Sequence, residues 1–139
     1  MFSVSPDERD HVALDQIFRG CKRLHLKLQT SATLASAQAV LQKKTRIPIV
    51  LVERDLAPGS WRDLFEHAAR LPAPPLLIVT SRLADERLWA EAINVGAYDV
   101  LSKPFDVQEV CRVVEAAWRH WTERHENRSD HLERAPAAQ

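Results

Sequence analysis

The feature that most constrains this chain is the alternation of short apolar runs with longer segments of helical periodicity. Two of these runs, IPIVLV at 47–52 and LLIVTS at 76–81, are almost continuously apolar and rich in β-branched residues. Strands of this kind are typical of parallel sheets that helices cover on both faces, because neither face of the strand meets water. The pattern therefore predicts a three-layer α/β fold.

Five strand–helix units can be followed along the sequence. The strands are predicted at 1–5, 23–29, 47–52, 76–81 and 98–102. The helices are predicted at 7–20, 30–44, 61–71, 82–95 and 106–121. Leu24, Leu26 and Leu28 alternate with polar residues, which is typical of an edge strand. We therefore expect a (βα)5 flavodoxin-like, doubly wound parallel sheet with strand order 2-1-3-4-5.

The domain is expected to span residues 1–121. The last predicted helix has an apolar face that ends near Trp121, and 122–139 is charged without a sustained apolar face. This second segment is predicted to be a helical extension or a disordered tail rather than a second domain.

Charge and hydropathy exclude several classes of partner. Lys+Arg 19 balances Asp+Glu 19, so no net field attracts nucleic acid or an anionic membrane. No apolar run reaches the roughly 18 residues of a membrane span, and the first residues lack the pattern of a signal peptide. We expect a cytoplasmic protein. Cys21 and Cys111 are therefore predicted to be reduced thiols in or near the core, with a disulfide as the less favoured alternative.

Ligand sites of such sheets lie outside the carboxyl ends of the strands. The segments to inspect are Ser5–Glu8, Glu53–Asp55, Thr80 with Ser81, and Lys103 with Pro104. The last two carry a resemblance. LLIVTS, then a helix, then GAYDVLSKPF at 96–105 resembles the second half of a response-regulator receiver domain, the module phosphorylated on aspartate in two-component signalling. The resemblance covers roughly residues 1–121.

The resemblance implies a pocket for a phosphoryl group. In the family, an Asp ending the third strand accepts phosphate from a histidine kinase, and two acids after the first strand help it to hold Mg²⁺. A hydroxyl residue and a Lys bind the phosphoryl oxygens. Thr80 matches the hydroxyl position, Ser81 the small residue after it, and Lys103 the lysine, while Pro104 suggests a cis peptide that turns the lysine into the site.

Other positions depart from the family pattern. Ser5 and Pro6 stand where the two acids belong, so the usual metal ligands are missing, and Mg²⁺ is expected only if the site is functional. Asp7 is expected to favour the helix N-terminus, with a compensating metal role as the alternative. Val100 occupies the position of the aromatic switch residue. Tyr98 is expected on the same strand face as Val100.

The phosphoacceptor position is altered as well. Counting back from the Pro58 turn favours Glu53, with Arg54 and Asp55 as the register alternatives. Glu53 would pair with Lys103, and two consequences stay open. The pair either imitates the charge of a phosphorylated site or simply neutralises the lysine.

The predicted function is that of a stand-alone, atypical receiver that acts through protein–protein interaction and is not an enzyme. The alternative is a genuine phosphoacceptor that uses Asp55 or Glu53 with Mg²⁺; a flavodoxin-like nucleotide or metabolite binder is less favoured. Expected partners are a sensor histidine kinase or another signalling protein. A homodimer would use the face of the fourth helix, fifth strand and fifth helix, with Trp89, Tyr98 and Trp121 as interface candidates and Trp118 in the core.

Overall fold

A computed structural model of the chain describes residues 1–21, 23–24, 27–43 and 46–134. A parallel sheet of five strands forms its centre. These strands are β1 (Phe2–Val4), β2 (Gln29–Ser31), β3 (Ile49–Glu53), β6 (Leu76–Ser81) and β7 (Asp99–Ser102). Their order is β2-β1-β3-β6-β7, which confirms the predicted 2-1-3-4-5 topology. A separate antiparallel hairpin joins β4 (Asp55–Leu56) to β5 (Gly59–Ser60).

Helices cover both faces of the sheet. They are α1 (Glu8–Gly20), α2 (Leu34–Lys43), α3 (Trp61–Ala69), α4 (Glu86–Val95) and α5 (Val107–Arg134). One apolar cluster lies between the sheet and α2, α3 and α4, and a second lies between the sheet and α1 and α5. Alternate residues of β3 serve the two clusters, since Val50 packs in the first and Leu51 in the second. The continuous apolar runs of the sequence are explained by this double burial.

The second strand lies later in the chain than predicted. The alternating leucines were assigned to it, but β2 is Gln29–Ser31. Leu24 and Leu28 instead pack against the cluster under α1 and α5 from the segment that precedes the strand, and Leu26 lies outside the described residues. Apolar residues at alternate positions in the sequence therefore do not by themselves distinguish a connecting segment from a strand.

The turn expected at Pro58-Gly59 lies one residue earlier, at 57–58, where it forms the loop of the β4–β5 hairpin. Leu56 of β4 is buried, and Ser60 caps α3 in a capping box with Asp63. Gly59 is confined: a Cβ atom there would lie 2.7 Å from both Oδ2 of Asp63 and Cδ2 of Leu34. The backbone must pass this close for the hairpin to deliver Ser60 to the helix start.

Helix α4 starts later than residue 82. The Ser81 hydroxyl accepts a hydrogen bond from the Leu83 amide at 3.0 Å, so the chain first forms a turn. Asp85 then caps the helix by accepting from the Leu88 amide at 2.9 Å. The helix pattern was visible in the sequence, whereas its first residue depended on these side-chain caps.

Helix α5 is longer than predicted, because it continues beyond Trp121 to Arg134. The helical alternative for the charged segment therefore holds for 122–134, and 135–139 lies outside the described residues. None of the described helices combines the length and apolar content needed to cross a membrane.

The prediction of two reduced thiols was wrong, because the structure joins Cys21 to Cys111 in a disulfide. Cys21 caps the C-terminus of α1, and Cys111 lies early in α5. Their Cα atoms are 6.4 Å apart although the residues are 90 positions apart in the sequence. The two cysteines meet because α1 packs beside α5 on one face of the sheet. Their spacing in the sequence does not indicate this pairing.

Candidate functional site

The segments predicted to form the ligand site meet at the carboxyl ends of the parallel strands. Glu53 is the last residue of β3 and is paired in register with Thr80 of β6. Lys103 directly follows β7, and its amide donates to the Ser81 carbonyl at 3.0 Å. Ser5 follows β1 and donates its amide to the Ser31 carbonyl at 3.0 Å. One edge of the sheet therefore holds the carboxylate, the hydroxyl and the amine.

Lys103 is the centre of this site. Its side chain is 8% exposed, and its Nζ atom contacts Oε2 of Glu53 at 2.9 Å. The same Nζ atom also donates to Oδ2 of Asp10 in a close contact. The side chains of Asp10 and Glu53 are 10% and 15% exposed, so all three charges are largely withdrawn from water. A buried ammonium between carboxylates is stabilised by both, and each carboxylate in turn depends on it.

Glu53 has a further partner in the neighbouring strand. The Thr80 hydroxyl donates to Oε2 of Glu53 at 3.4 Å, the carboxylate oxygen that also contacts Lys103. The Arg54 amide continues the β3–β6 ladder by donating to the Thr80 carbonyl at 2.9 Å. The sheet thus holds Glu53 and Thr80 side by side, and Glu53 links the Thr80 hydroxyl to Lys103.

Asp10 is the site residue that sequence reasoning missed. It lies in the first turns of α1 and accepts a hydrogen bond from the Ser5 hydroxyl at 2.6 Å. A signal for it was present, since Asp10 precedes Leu14 and Ile17 at i+4 and i+7 on the buried face of the helix. A carboxylate on an apolar face requires a partner, and Lys103 is that partner.

His11 supports the same corner of the structure. It is buried, and its Nε2–H donates to the Ser5 carbonyl at 3.0 Å, because a carbonyl oxygen only accepts. In the neutral ring, Nδ1 then accepts from the Ser3 hydroxyl at 2.8 Å. His11 therefore ties the end of β1 to α1, next to the Ser5–Asp10 contact.

Asp7 has the helix-start role predicted for it. It is the N-cap of α1, where Oδ1 accepts from the Arg9 amide at 3.0 Å. The Arg9 side chain donates to both carboxylate oxygens, at 3.1 and 2.9 Å. Hydrogen bonds from the side chain and the backbone of Arg9 lower the pKa of Asp7 to about 2. Its alternative role as a metal ligand stays a prediction.

The register alternatives to Glu53 lie elsewhere. Asp55 begins β4, and its side chain is 73% exposed, while that of Arg54 is 38% exposed. Arg54 Nε contacts Oδ1 of Asp55 at 3.4 Å. Because β3 ends at Glu53, the chain turns outward before Asp55, and Glu53 is the residue of the three whose side chain contacts Lys103.

Ser81 and Pro104 lie beside the site, Ser81 at the end of β6 and Pro104 in the cleft wall after β7. Ser81 is 3% exposed, and its hydroxyl accepts from the Leu83 amide, so this hydroxyl shapes the loop before α4. The Lys103–Pro104 peptide is cis, as the sequence motif predicted. Beside them, a cleft of 360 Å³ lies between α1 and the β7–α5 loop. Its walls include Asp10, Lys103 and Phe105.

Tyr98 and Val100 do not share a face, contrary to the sequence prediction. Val100 packs in the cluster under α2, α3 and α4, whereas Tyr98 packs against the cluster under α1 and α5. The physical reason is that Tyr98 precedes β7, so strand alternation does not govern its direction. Its hydroxyl is 2.8 Å from Nδ1 of His120 on α5. Burial, with the nearby Asp99 carboxylate, raises the pKa of Tyr98.

The predicted interface aromatics divide into two groups. Trp89 on α4 is 52% exposed and is available for contact. Trp121 is 7% exposed, so its prediction as an interface residue was wrong. The reason is that Trp121 stacks on the rings of Trp118 and His125, at centroid distances of 6.0 and 3.7 Å. Trp118 packs against the cluster under α1 and α5, as expected of a core residue.

The donor set of the site does not fit Mg²⁺. A divalent cation needs oxygen ligands that are free to face it. Here both Asp10 and Glu53 direct a carboxylate oxygen at the Lys103 ammonium. Ser5 stands at a position where the family usually has a metal-binding acid. Its hydroxyl donates a hydrogen bond to Asp10. Among the residues that the structure describes, no group of three or more His, Cys, Asp or Glu side chains is placed to hold a metal ion.

Comparisons with known proteins find a relative of the chain in sequence. The chain is 31% identical over 106 residues to the DNA-binding transcriptional regulator NtrC of Escherichia coli K12. The match covers 74% of the chain and 22% of NtrC, so the chain spans about a fifth of that relative. No protein family model matches the sequence.

Two solved structures share the fold. The signal receiver domain of an HD domain-containing protein from Pseudomonas fluorescens Pf-5 superposes with a TM-score of 0.77 at 24% identity, over 90% of each chain. The beryllofluoride-activated NtrC4 receiver domain dimer gives 0.75 at 20% identity, over 86% of this chain and 96% of the other. With its parallel sheet of order 2-1-3-4-5 and a lysine at the end of the last strand, the chain has the fold of the receiver domains of response regulators.

Proposed function

We propose that this chain is an atypical receiver module that signals by binding other proteins, with little or no phosphorylation, and that it is not an enzyme. The observation that carries the proposal is the burial of Lys103 between Asp10 and Glu53. A phosphoryl oxygen that approached this ammonium would compete with both carboxylates. In this site two carboxylates already neutralise the ammonium.

The electrostatics of the site favour this proposal. An incoming phosphoryl group would add negative charge beside Asp10 and Glu53, which would repel it at low effective dielectric. A resident divalent cation would offset that charge, but the described part of the chain holds no cluster of three or more metal-ligating side chains. We therefore propose that the protein carries no Mg²⁺ cofactor.

Phosphorylation of the purified chain tests the proposal. The chain is incubated with acetyl phosphate, and separately with beryllofluoride, in the presence of Mg²⁺, and adducts are measured by intact mass and by amide chemical shifts. We expect no stable adduct. An adduct that persists and disappears in Asp55→Ala or Glu53→Gln would overturn the proposal and establish the genuine phosphoacceptor. Asp63→Asn, at the start of α3 where the carboxylate accepts from the Ser60 amide, is a matched control for loss of a carboxylate.

Within this function, we propose that Glu53 acts as a permanent stand-in for the phosphorylated state. Its carboxylate contacts both Thr80 and Lys103, the two residue types with which the family binds a phosphoryl group. The alternative is that Glu53 only neutralises the lysine. Affinity for the output partner distinguishes them: Glu53→Gln is expected to weaken binding at least tenfold if the charge is the signal. Unchanged affinity in a folded variant would favour simple neutralisation.

The proposed partners are a sensor histidine kinase or another signalling protein, and a second copy of the chain. The second copy would use the face formed by α4, β7 and α5. Trp89 supports this choice, because it is a large aromatic side chain exposed on α4. The NtrC4 receiver domain, a structural neighbour of this chain, forms a dimer, which supports the same kind of assembly here. Light scattering over a concentration series tests it, and Trp89→Ala should shift the association toward monomer.

The location and the wider pathway are also proposals. Because the match is to part of a transcriptional regulator, we propose that the chain works in the cytoplasm in phosphorelay signalling. The balanced charge of the chain supports no direct contact with nucleic acid.

A further inference from the structure

The chain has two cysteines, and the structure places them in one bridge. Cys21 ends α1, and Cys111 lies on α5. The two helices that they connect flank the candidate site. Helix α1 carries Asp10 near its start, and α5 follows the loop that carries Lys103.

The surroundings of the bridge are apolar. Cys21 is 7% exposed within the cluster under α1 and α5, and Cys111 packs against the same cluster. Leu24, Val110 and Val114 belong to that cluster. Two thiols are accommodated in such surroundings as small apolar side chains, so the fold does not require the covalent bond in order to bury these residues.

We propose that Cys21 and Cys111 form a reversible redox bridge that holds α1 against α5 and so controls the spacing of Asp10 and Lys103. In a reducing compartment a protein disulfide is usually transient or redox-sensing, which favours a regulatory bridge over a permanent one. This step rests on the proposed cytoplasmic location. The disulfide and the apolar contacts around it do not depend on phosphorylation.

The chemistry is thiol–disulfide exchange with a low-molecular-weight disulfide such as oxidised glutathione. One cysteine thiolate attacks the small disulfide, forms a mixed disulfide and releases one small thiol. The second cysteine thiolate then attacks the mixed disulfide, forms the Cys21–Cys111 bond and releases the second small thiol. Two electrons pass from the protein thiols to the small disulfide, and the two thiol protons end on the released thiols.

The bridge and the site are linked through rigid elements. Asp10 and Cys21 are separated by most of α1, roughly 16 Å at the rise of an α-helix. At that distance, a change confined to the sulfur atoms would not move the Asp10 carboxylate directly. A movement of α1 against the sheet would alter the Asp10–Lys103 contact, because the backbone bond from Lys103 to Ser81 holds Lys103 at the end of β6.

The first measurement is a redox titration of the full chain. Samples are equilibrated in buffers of varied reduced-to-oxidised glutathione ratio, quenched with a maleimide-polyethylene glycol reagent and resolved by gel shift. We expect both thiols to be labelled under reducing ratios and neither under oxidising ratios, with full recovery when the buffer is exchanged. Labelling that does not change across the series, whether always blocked or always complete, would overturn the proposal.

The second measurement compares amide spectra of the two redox forms. We expect the amide signals of Asp10 and Lys103 to differ in chemical shift between the two redox forms. The amide signal of Asp63, at the start of α3, should be the same in both. Shifts confined to the neighbours of Cys21 and Cys111 would overturn the coupling to the site. The double variant Cys21→Ser with Cys111→Ser should give one spectrum in both buffers. Because the titration and both spectra are measured on the natural chain, the test does not depend on the folding of that variant. It is also independent of phosphorylation and of any partner, so it stands apart from the tests of the proposed function.

Discussion

Oε2 of Glu53 lies 2.9 Å from Nζ of Lys103, and the same ammonium contacts the carboxylate of Asp10 on α1. Three segments that are far apart in the sequence therefore share one buried charge network. The carboxylates depend on Lys103 more than Lys103 depends on either of them, because the ammonium has a carboxylate on both sides. This asymmetry makes the network testable by removing one charge at a time.

Lys103→Met is expected to destabilise the fold by about 3–5 kcal/mol, because it leaves Asp10 and Glu53 buried without their cation. Urea unfolding monitored by tryptophan fluorescence measures the change. Adding Glu53→Gln to Lys103→Met should restore part of the loss, since it removes one of the uncompensated charges. Lys43→Met, at an exposed position near the end of α2, is the matched control. Equal stability of Lys103→Met and Lys43→Met would contradict the network.

Asp7 is expected to make folding more favourable above about pH 4 than at pH 2. Its pKa is about 2 in the folded chain, against an ordinary value of 3.8. A carboxyl whose folded pKa is depressed contributes stability above the unfolded pKa and loses it as the pH falls through the folded pKa. The difference in unfolding free energy between the natural chain and Asp7→Asn should therefore shrink between about pH 4 and pH 2.

Asn at position 7 retains the ability to cap α1, so this variant isolates the charge. Unfolding curves at a series of pH values give the comparison. A difference that stays constant from pH 5 to pH 2 would show that the Arg9 contact does not depend on ionisation of Asp7.

Cys111→Ser is expected to lower the unfolding free energy of the oxidised chain by about 2–4 kcal/mol, because the bridge closes a long loop in the unfolded state. The 90 positions between the cysteines place the bridge at the long-loop end of that range. A reductant should bring the natural chain down to the stability of the variant. If reductant leaves the natural chain unchanged while the variant is less stable, the loss comes from packing and the bridge is not its source.

Truncation of Trp121 and of Trp89 should change the unfolding free energy by very different amounts. Trp121→Ala is expected to cost about 3–5 kcal/mol, because the ring is buried and stacked on Trp118 and His125. Trp89→Ala should change the stability of the monomer by no more than about 0.5 kcal/mol, because its side chain is exposed. Thermal unfolding at low protein concentration compares them. Similar losses in both variants would contradict the burial assigned to Trp121.

Much of the architecture could be predicted from the sequence, because parallel strands and amphipathic helices each have a characteristic local pattern of apolar residues. The apolar runs at β3 and β6 predicted a sheet covered on both faces, and the strand ends predicted where Glu53, Thr80 and Lys103 would meet. Asp7 before α1 was also readable, since capping involves residues adjacent in the chain. The position of β2 was misjudged because buried connecting leucines have the same period as an edge strand.

Tertiary structure alone decided the contacts between distant segments. Asp10 belongs to the site because α1 packs beside the loop after β7, and Cys21 meets Cys111 because α1 and α5 share a sheet face. The sequence by itself determined the sheet, the helices and the residue types at the strand ends, since these follow from local periodicity. Which charges meet and which thiols join depends on helix packing, because distance along the chain carries no information about distance across it.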